Sequence, residues 1–168
     1  MRKTAVPAPR AVAGIVAGIL ETYAERGVFR GFSRTAGTGG RVAFHMTWHR
    51  DRLFELVLDE RAGTLKFPAL LPSVPARSAM YRELREFVEA RFAAELPEHR
   101  RVDAARARVV WANRAGDVAL TWSVLDGDFA YATRKLIHLV HEIYMVFLAD
   151  GRYYPYLIEV FDLDPDRM

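Results

Sequence analysis

The chain has 168 residues, of which 51% are hydrophobic and 12% aromatic, with a formal net charge of +3. That length and composition suit one domain with a sizeable core, and they exclude two domains of ordinary size or a disordered chain. No cysteine is present, which excludes disulfides, thiolate metal sites and thiol catalysis and suits a reducing compartment.

The basic excess is almost all arginine. Only Lys3, Lys66 and Lys135 among the 24 cationic residues are lysines. Such a bias can accompany nucleic-acid binding, but 21 acidic residues are interspersed with the bases. No long block of one sign exists to follow a phosphate backbone, so nucleic acid is not an expected partner. Arg2 and Lys3 precede an apolar run, Ala11 to Leu20. The run is too short to span a bilayer. Pro7, Pro9 and Arg10 separate it from the charges, and no small-x-small cleavage site follows. A cytoplasmic location without a membrane partner is the expectation.

In chain order, residues 1–8 read as a loose tail. Pro9 then opens a helix. Val12, Ile15, Val16, Ile19, Leu20 and Tyr23 recur at helical spacing, and Gly27 offers a stop. Gly14 and Gly18 lie one turn apart on another stripe. Their expected use is close packing on the domain's own sheet, with a dimer seam as the competing use.

Val28 to Arg34 is a short candidate strand, and Ala36 to Gly40 a loop. Val42, Phe44, Met46 and Trp48 alternate with Ala43, His45, Thr47 and His49, the period of a half-buried strand. A turn at Arg50-Asp51 leads to Phe54, Leu56 and Leu58. After a second turn at Asp59 to Gly63, Thr64 to Leu70 completes an antiparallel meander. Ser73 is the candidate N-cap of a second helix, with Met80, Leu84, Phe87 and Val88 on its apolar stripe and Pro97 closing it. Val109 to Asn113 and Val118 to Val124 flank Asn113 to Asp117 as a hairpin. A third helix is capped by Asp126 or Asp128, carries Phe129, Ala132, Leu136, Val140, Ile143 and Phe147 on its core stripe, and stops at Gly151. Residues 152–168 form an aromatic extension. The expected fold is one α+β domain with a largely antiparallel sheet of about five strands packed against long helices.

Few residues carry a chemical signal. His45 and His49 are four apart, but on a strand that is roughly 13 Å, too far for one metal ion. Both read as polar residues on the less buried sheet face. His138 and His141 are three apart on a helix, with Glu142 one turn after His138. Side chains so placed can converge on a metal or act as acid and base, and His45 could face them. The bland use, histidines bonded to carbonyls or a neighbouring carboxylate, is favoured. The Gly37-Thr-Gly-Gly40 loop leads into a strand rather than a helix and fits no phosphate-loop pattern. No G-x-S-x-G elbow occurs. Trp48 and Trp122 fall on apolar faces and read as core, with Trp111 less decided. Tyr153, Tyr154 and Tyr156 form an aromatic cluster that either docks on the third helix or recruits a partner.

Two segments carry a likeness to known proteins. They are the meander Arg41-Val-Ala-Phe-His-Met-Thr-Trp through Leu53-Phe-Glu-Leu-Val-Leu-Asp, and the hairpin Val109-Val-Trp-Ala-Asn-Arg-Ala-Gly-Asp-Val-Ala-Leu-Thr-Trp leading to the Phe129 helix. Over residues 9–149 the order of elements resembles the type III secretion chaperone-like fold and, within it, YbjN-type bacterial proteins. The resemblance implies a non-catalytic, chaperone-like module that binds peptide segments or partner proteins, often as a homodimer. No cofactor is expected. The competing expectation is a small enzyme or a ligand- or metal-binding protein whose pocket gathers His138, His141, Glu142 and His45.

Overall fold

The computed structural model of the protein describes residues 9–49 and 52–161. The expected tail at 1–8 and the turn residues Arg50 and Asp51 lie outside them. The described elements are α1 (Pro9–Glu25), β1 (Arg30–Ala36), β2 (Arg41–Trp48), β3 (Arg52–Asp59), β4 (Thr64–Leu71), α2 (Ala79–Glu89), β5 (Ala107–Arg114), β6 (Asp117–Val124), α3 (Phe129–Glu142) and α4 (Tyr154–Phe161). A short 3-10 turn, Ala90–Phe92, extends α2, and a π-helical segment, Ile143–Ala149, extends α3. The fold is α+β, in the expected order of helix, meander, helix, hairpin and helix.

All neighbouring strands are antiparallel, in the order β1-β2-β3-β4-β6-β5. The sheet has six strands rather than about five, because Arg30–Ala36 pairs with β2. Period-2 alternation gives it one apolar face. Phe44, Met46 and Trp48 of β2, Phe54, Leu56 and Leu58 of β3, Leu65 and Phe67 of β4, and Val118, Leu120 and Trp122 of β6 are all buried there. Val12, Val16 and Leu20 of α1 join them in one continuous core, as do Leu84 and Val88 of α2 and Leu136, Val140 and Ile143 of α3. The other face stays open, with Ala43, Val57, Lys66, Thr121 and Val110 in one row across five strands. No described helix is long and apolar enough to cross a membrane.

Three local expectations are corrected. Gly14 and Gly18 do not pack on the sheet. They are exposed, and a Cβ at either would meet nothing within 4 Å. Ser73 does not cap α2. Its φ is +56°, and the next residue is latched to the β5–β6 turn, since the Val74 N–H donates to the Gly116 carbonyl at 2.8 Å. The helix instead starts past Ser78, whose Oγ accepts from the Tyr81 N–H at 3.1 Å. Pro97 does not close α2 either, because the helix gives way to the 3-10 turn at Ala90.

For α3 the cap is Asp128, which accepts from the Tyr131 N–H at 3.0 Å. Within its π-helical extension the Asp150 N–H reaches back five residues to the Met145 carbonyl, at 3.2 Å. Gly151 ends it for a steric reason. A Cβ there would lie 2.3 Å from the Phe147 carbonyl oxygen.

Candidate functional site

The histidines named by the sequence do not share one site. His45 lies on the open face of β2, directly across from Glu55 of β3, and its Nε2 is 3.1 Å from the Glu55 carboxylate. This is an exposed cross-strand pair. His138 and Glu142 do come together one helical turn apart, with His138 Nε2 2.6 Å from Glu142 Oε1. The other carboxylate oxygen is 3.3 Å from Arg91 Nη1, and the Arg91 guanidinium lies 4.4 Å from the centroid of the Phe87 ring. Arg91 belongs to the 3-10 turn after α2, so Glu142 clamps the end of α2 to α3. Glu142 and Arg91 are both nearly buried, whereas His138 is half exposed. His141 is exposed on another side of α3, its ring 5.8 Å from that of His49. Among the described residues no three His, Asp or Glu side chains gather in a group that could hold a metal.

The three tyrosines are half-buried on and beside α4. Tyr153 stacks on Phe147 with centroids 5.0 Å apart. The Tyr156 hydroxyl donates to the Pro72 carbonyl, and burial raises its pKa well above that of a free phenol. Tyr154 packs against the core.

A cluster that the sequence did not announce forms where β2 turns into β3. His49 leaves the strand alternation with a φ of +42°. Its ring therefore does not continue the less buried face. It stacks on Tyr144 at 4.2 Å and 7°, and on Trp48 at 4.2 Å and 27°. Burial, with His141 and then Arg52 nearby, lowers its pKa to about 3. Its Nε2 is buried and has no hydrogen-bond partner among the described residues. Beside it Arg52 acts as a staple. Its Nη1 donates to the Leu70 carbonyl at 2.8 Å and the Tyr144 hydroxyl at 2.7 Å, and its Nη2 donates to the Ala69 carbonyl at 2.8 Å. Tyr144 in turn donates to Leu70 O at 2.7 Å, and burial raises its pKa. This staple ties β3 to the end of β4 where the ladder between them has stopped, since their register covers only residues 57–59 with 64–66.

The two edges of the sheet differ. β1 is irregular, with a register shift between Arg30 and Ser33 and Gly31 at a φ of +63°. Bulges of this kind protect an edge. β5 is regular and pairs with β6 at eight consecutive positions, from Ala107 to Arg114. The turn that follows has positive φ at both Ala115 (+52°) and Gly116 (+96°), the signature of a type I′ hairpin. Counting back from the closing pair Arg114–Asp117, the backbone groups of Arg108, Val110 and Ala112 face β6 and those of Val109 and Trp111 face outward. Among the described residues, neither Val109 nor Trp111 makes a backbone hydrogen bond beyond the ladder. Beside this edge runs a groove of about 510 Å³ between α2 and β5. Val88, Phe92, Val109, Trp111 and Leu125 line its apolar part, and Arg85 and Arg108 are among its charged residues.

Comparison of the chain with protein-family models, with curated proteins and with solved structures found no match in any of the three.

Proposed function

We propose that the chain is a non-catalytic, chaperone-like binding module that takes an extended segment of a partner protein as an added strand along β5. The open, regular β5 edge supports this reading. In strand addition the main-chain hydrogen bonds supply affinity and alternate side chains supply specificity. The outward groups of Val109 and Trp111 offer the former, and the α2–β5 groove offers a place for the latter. Arg108 and Arg114 near the two ends of the strand favour a segment with acidic flanks.

A phage-displayed 12-residue peptide library tests the proposal. Selection on the full chain is expected to enrich peptides with alternating apolar residues between acidic ones. Val109→Pro removes one outward N–H, a change that edge strands tolerate, and is expected to weaken those peptides by about tenfold, the worth of one hydrogen bond. Peptides unaffected by Val109→Pro in a folded variant would overturn the reading. Light scattering on the same pair of proteins reads the homodimer. A two-chain mass lost on Val109→Pro would assign the edge to a second copy instead.

A further inference from the structure

The groove between α2 and β5 differs at its two ends. Two backbone links fix how the helix lies along the strand. Ahead of α2, the Val74 N–H donates to the Gly116 carbonyl beyond the end of β5. Ahead of β5, the Val102 N–H donates to the Arg91 carbonyl beyond the end of α2, and the Ala107 N–H turns back to the Asp103 carbonyl. The helix therefore runs antiparallel to β5. Of the residues lining the groove, Arg85 lies toward the Trp111 end, and Phe92 lies toward the Ala107 end with Leu125.

Charge follows the same axis. The acids nearest Arg85 on its helix are spent elsewhere, Glu83 on Arg152 and Glu86 on Arg82. Among the described residues no carboxylate pairs with Arg85 itself. Its Nε donates to the Tyr81 carbonyl at 3.4 Å and its guanidinium lies 4.6 Å from the Tyr81 ring centroid, which holds the exposed side chain along the helix. One turn further on, Glu89 stands toward the Phe92 end. The Arg85 end thus attracts a carboxylate, whereas the Phe92 end is apolar and has an acid beside it. Arg108 is the remaining charge, and alternation puts it on the open sheet face with Val110, at the rim of the groove.

The side chains of Val109 and Trp111 both pack against the core. A segment added antiparallel, the sense of every pair in this sheet, would set one residue opposite each, exchanging both backbone bonds. Those two residues share the groove face, and the one between them points to the open side. The residue opposite Trp111 comes first in the segment and meets Arg85. The residue opposite Val109 follows and meets Val88, Phe92 and Leu125. An apolar space of about 150 Å³ accepts a benzene ring, so a groove of about 510 Å³ has room for an aromatic side chain there.

We infer that the groove reads a short directional motif in the added segment, an acidic residue followed two positions later by an aromatic one, with the carboxylate on Arg85 and the ring against Phe92 and Leu125. This motif rests on strand addition along β5 and adds to it a side-chain code and a sense. Three nine-residue peptides, threonine-rich with acetylated and amidated ends, test it by calorimetry on the full chain. Their centres are aspartate-threonine-phenylalanine, asparagine-threonine-phenylalanine and phenylalanine-threonine-aspartate. Wild type is expected to bind the first roughly tenfold more tightly than either of the others, about the worth of one charge-assisted hydrogen bond at a partly exposed site. Arg85→Ala, a change at an exposed side chain, is expected to bring the first peptide down to the level of the second. Equal binding of the first peptide and either control, a preference for the reversed order, or a preference for aspartate over asparagine that survives Arg85→Ala would overturn the motif. If those peptides still weaken on Val109→Pro, strand addition stands without it. Binding indifferent to Val109→Pro, or none at millimolar concentration, would overturn strand addition and the motif together.

Discussion

Acidification from pH 7 to pH 4 is expected to remove about 3 kcal/mol of stability through His49 alone, given its pKa of about 3 in the fold against 6.5 for a free imidazole. The direction follows from proton counting. Between those two values the unfolded chain binds a proton at this ring and the native protein does not, so stability falls as pH falls through that window. Above about pH 7 both states are neutral and the contribution is flat. Among the described residues, the groups that shift the ring's pKa all act against its protonation. Burial against Trp48 and Tyr144 removes water, and His141 and Arg52 add positive charge. Asp59 and Asp126 contribute to acid loss as well. The pKa of Asp59 is lowered chiefly by the Ala62 N–H and that of Asp126 chiefly by Arg106. The comparison that isolates His49 is therefore urea unfolding of wild type and His49→Phe at several values between pH 4 and pH 7.5. Wild type should lose about 3 kcal/mol more than His49→Phe between pH 7.5 and pH 4, so the difference between the two curves shifts by that amount in favour of the variant. Parallel curves would show that the ring is not held neutral.

Glu142→Ala should destabilise the protein by about 3 kcal/mol, because breaking a buried ion pair leaves its partner charged and dry. Glu142 is 9% exposed, and Arg91, its partner across the α2–α3 contact, has little access to water. Among the described residues Arg91 Nε already lacks a hydrogen-bond partner, and the arginine would lose its carboxylate as well. His138→Ala should cost less than about 1 kcal/mol, as half-exposed pairs do. A double replacement, Arg91→Met with Glu142→Leu, should recover most of the loss, because apolar residues of similar volume often replace a buried pair at no cost. Thermal unfolding of the four proteins checks this. A Glu142→Ala variant as stable as wild type would mean that the carboxylate does not serve as a clamp, and it would return His138 and Glu142 to consideration as chemical groups.

The regular elements were legible because their apolar residues repeat at the period of the backbone. Phe44, Met46 and Trp48 could be placed on the buried face from alternation alone, and Phe129, Leu136, Val140 and Ile143 from helical spacing. The order of helix, meander, helix, hairpin and helix followed. Legibility ended where tertiary contacts override local pattern. Ser73 has the chemistry of a cap, but the link from Val74 to Gly116 delays the helix until Ser78. Period 2 put His49 on the open face, yet the ring sits one residue past the strand, where a positive φ turns it onto Tyr144, 95 residues further along the chain. No spacing rule joins those two positions. Arg52 was hidden for the same reason, since its partners at Ala69, Leu70 and Tyr144 meet it only after β3, β4 and the helix have packed. The pairing of His138 with Glu142 was readable at one-turn spacing. The third member, Arg91, comes from a different helix and was not.

The contrast between β1 and β5 also sets an upper limit on assembly. Growth of a sheet from molecule to molecule needs two usable borders, one to receive and one to give. Here the bulged border closes one direction, and the regular one leaves a single acceptor. A strand laid on that acceptor ends the extension whatever its source, and two copies joined there would present only their irregular borders to solution. On the strand-addition proposal, the expected stoichiometry is therefore one added segment per chain or one closed pair, with no second regular edge among the described strands from which a fibre could propagate.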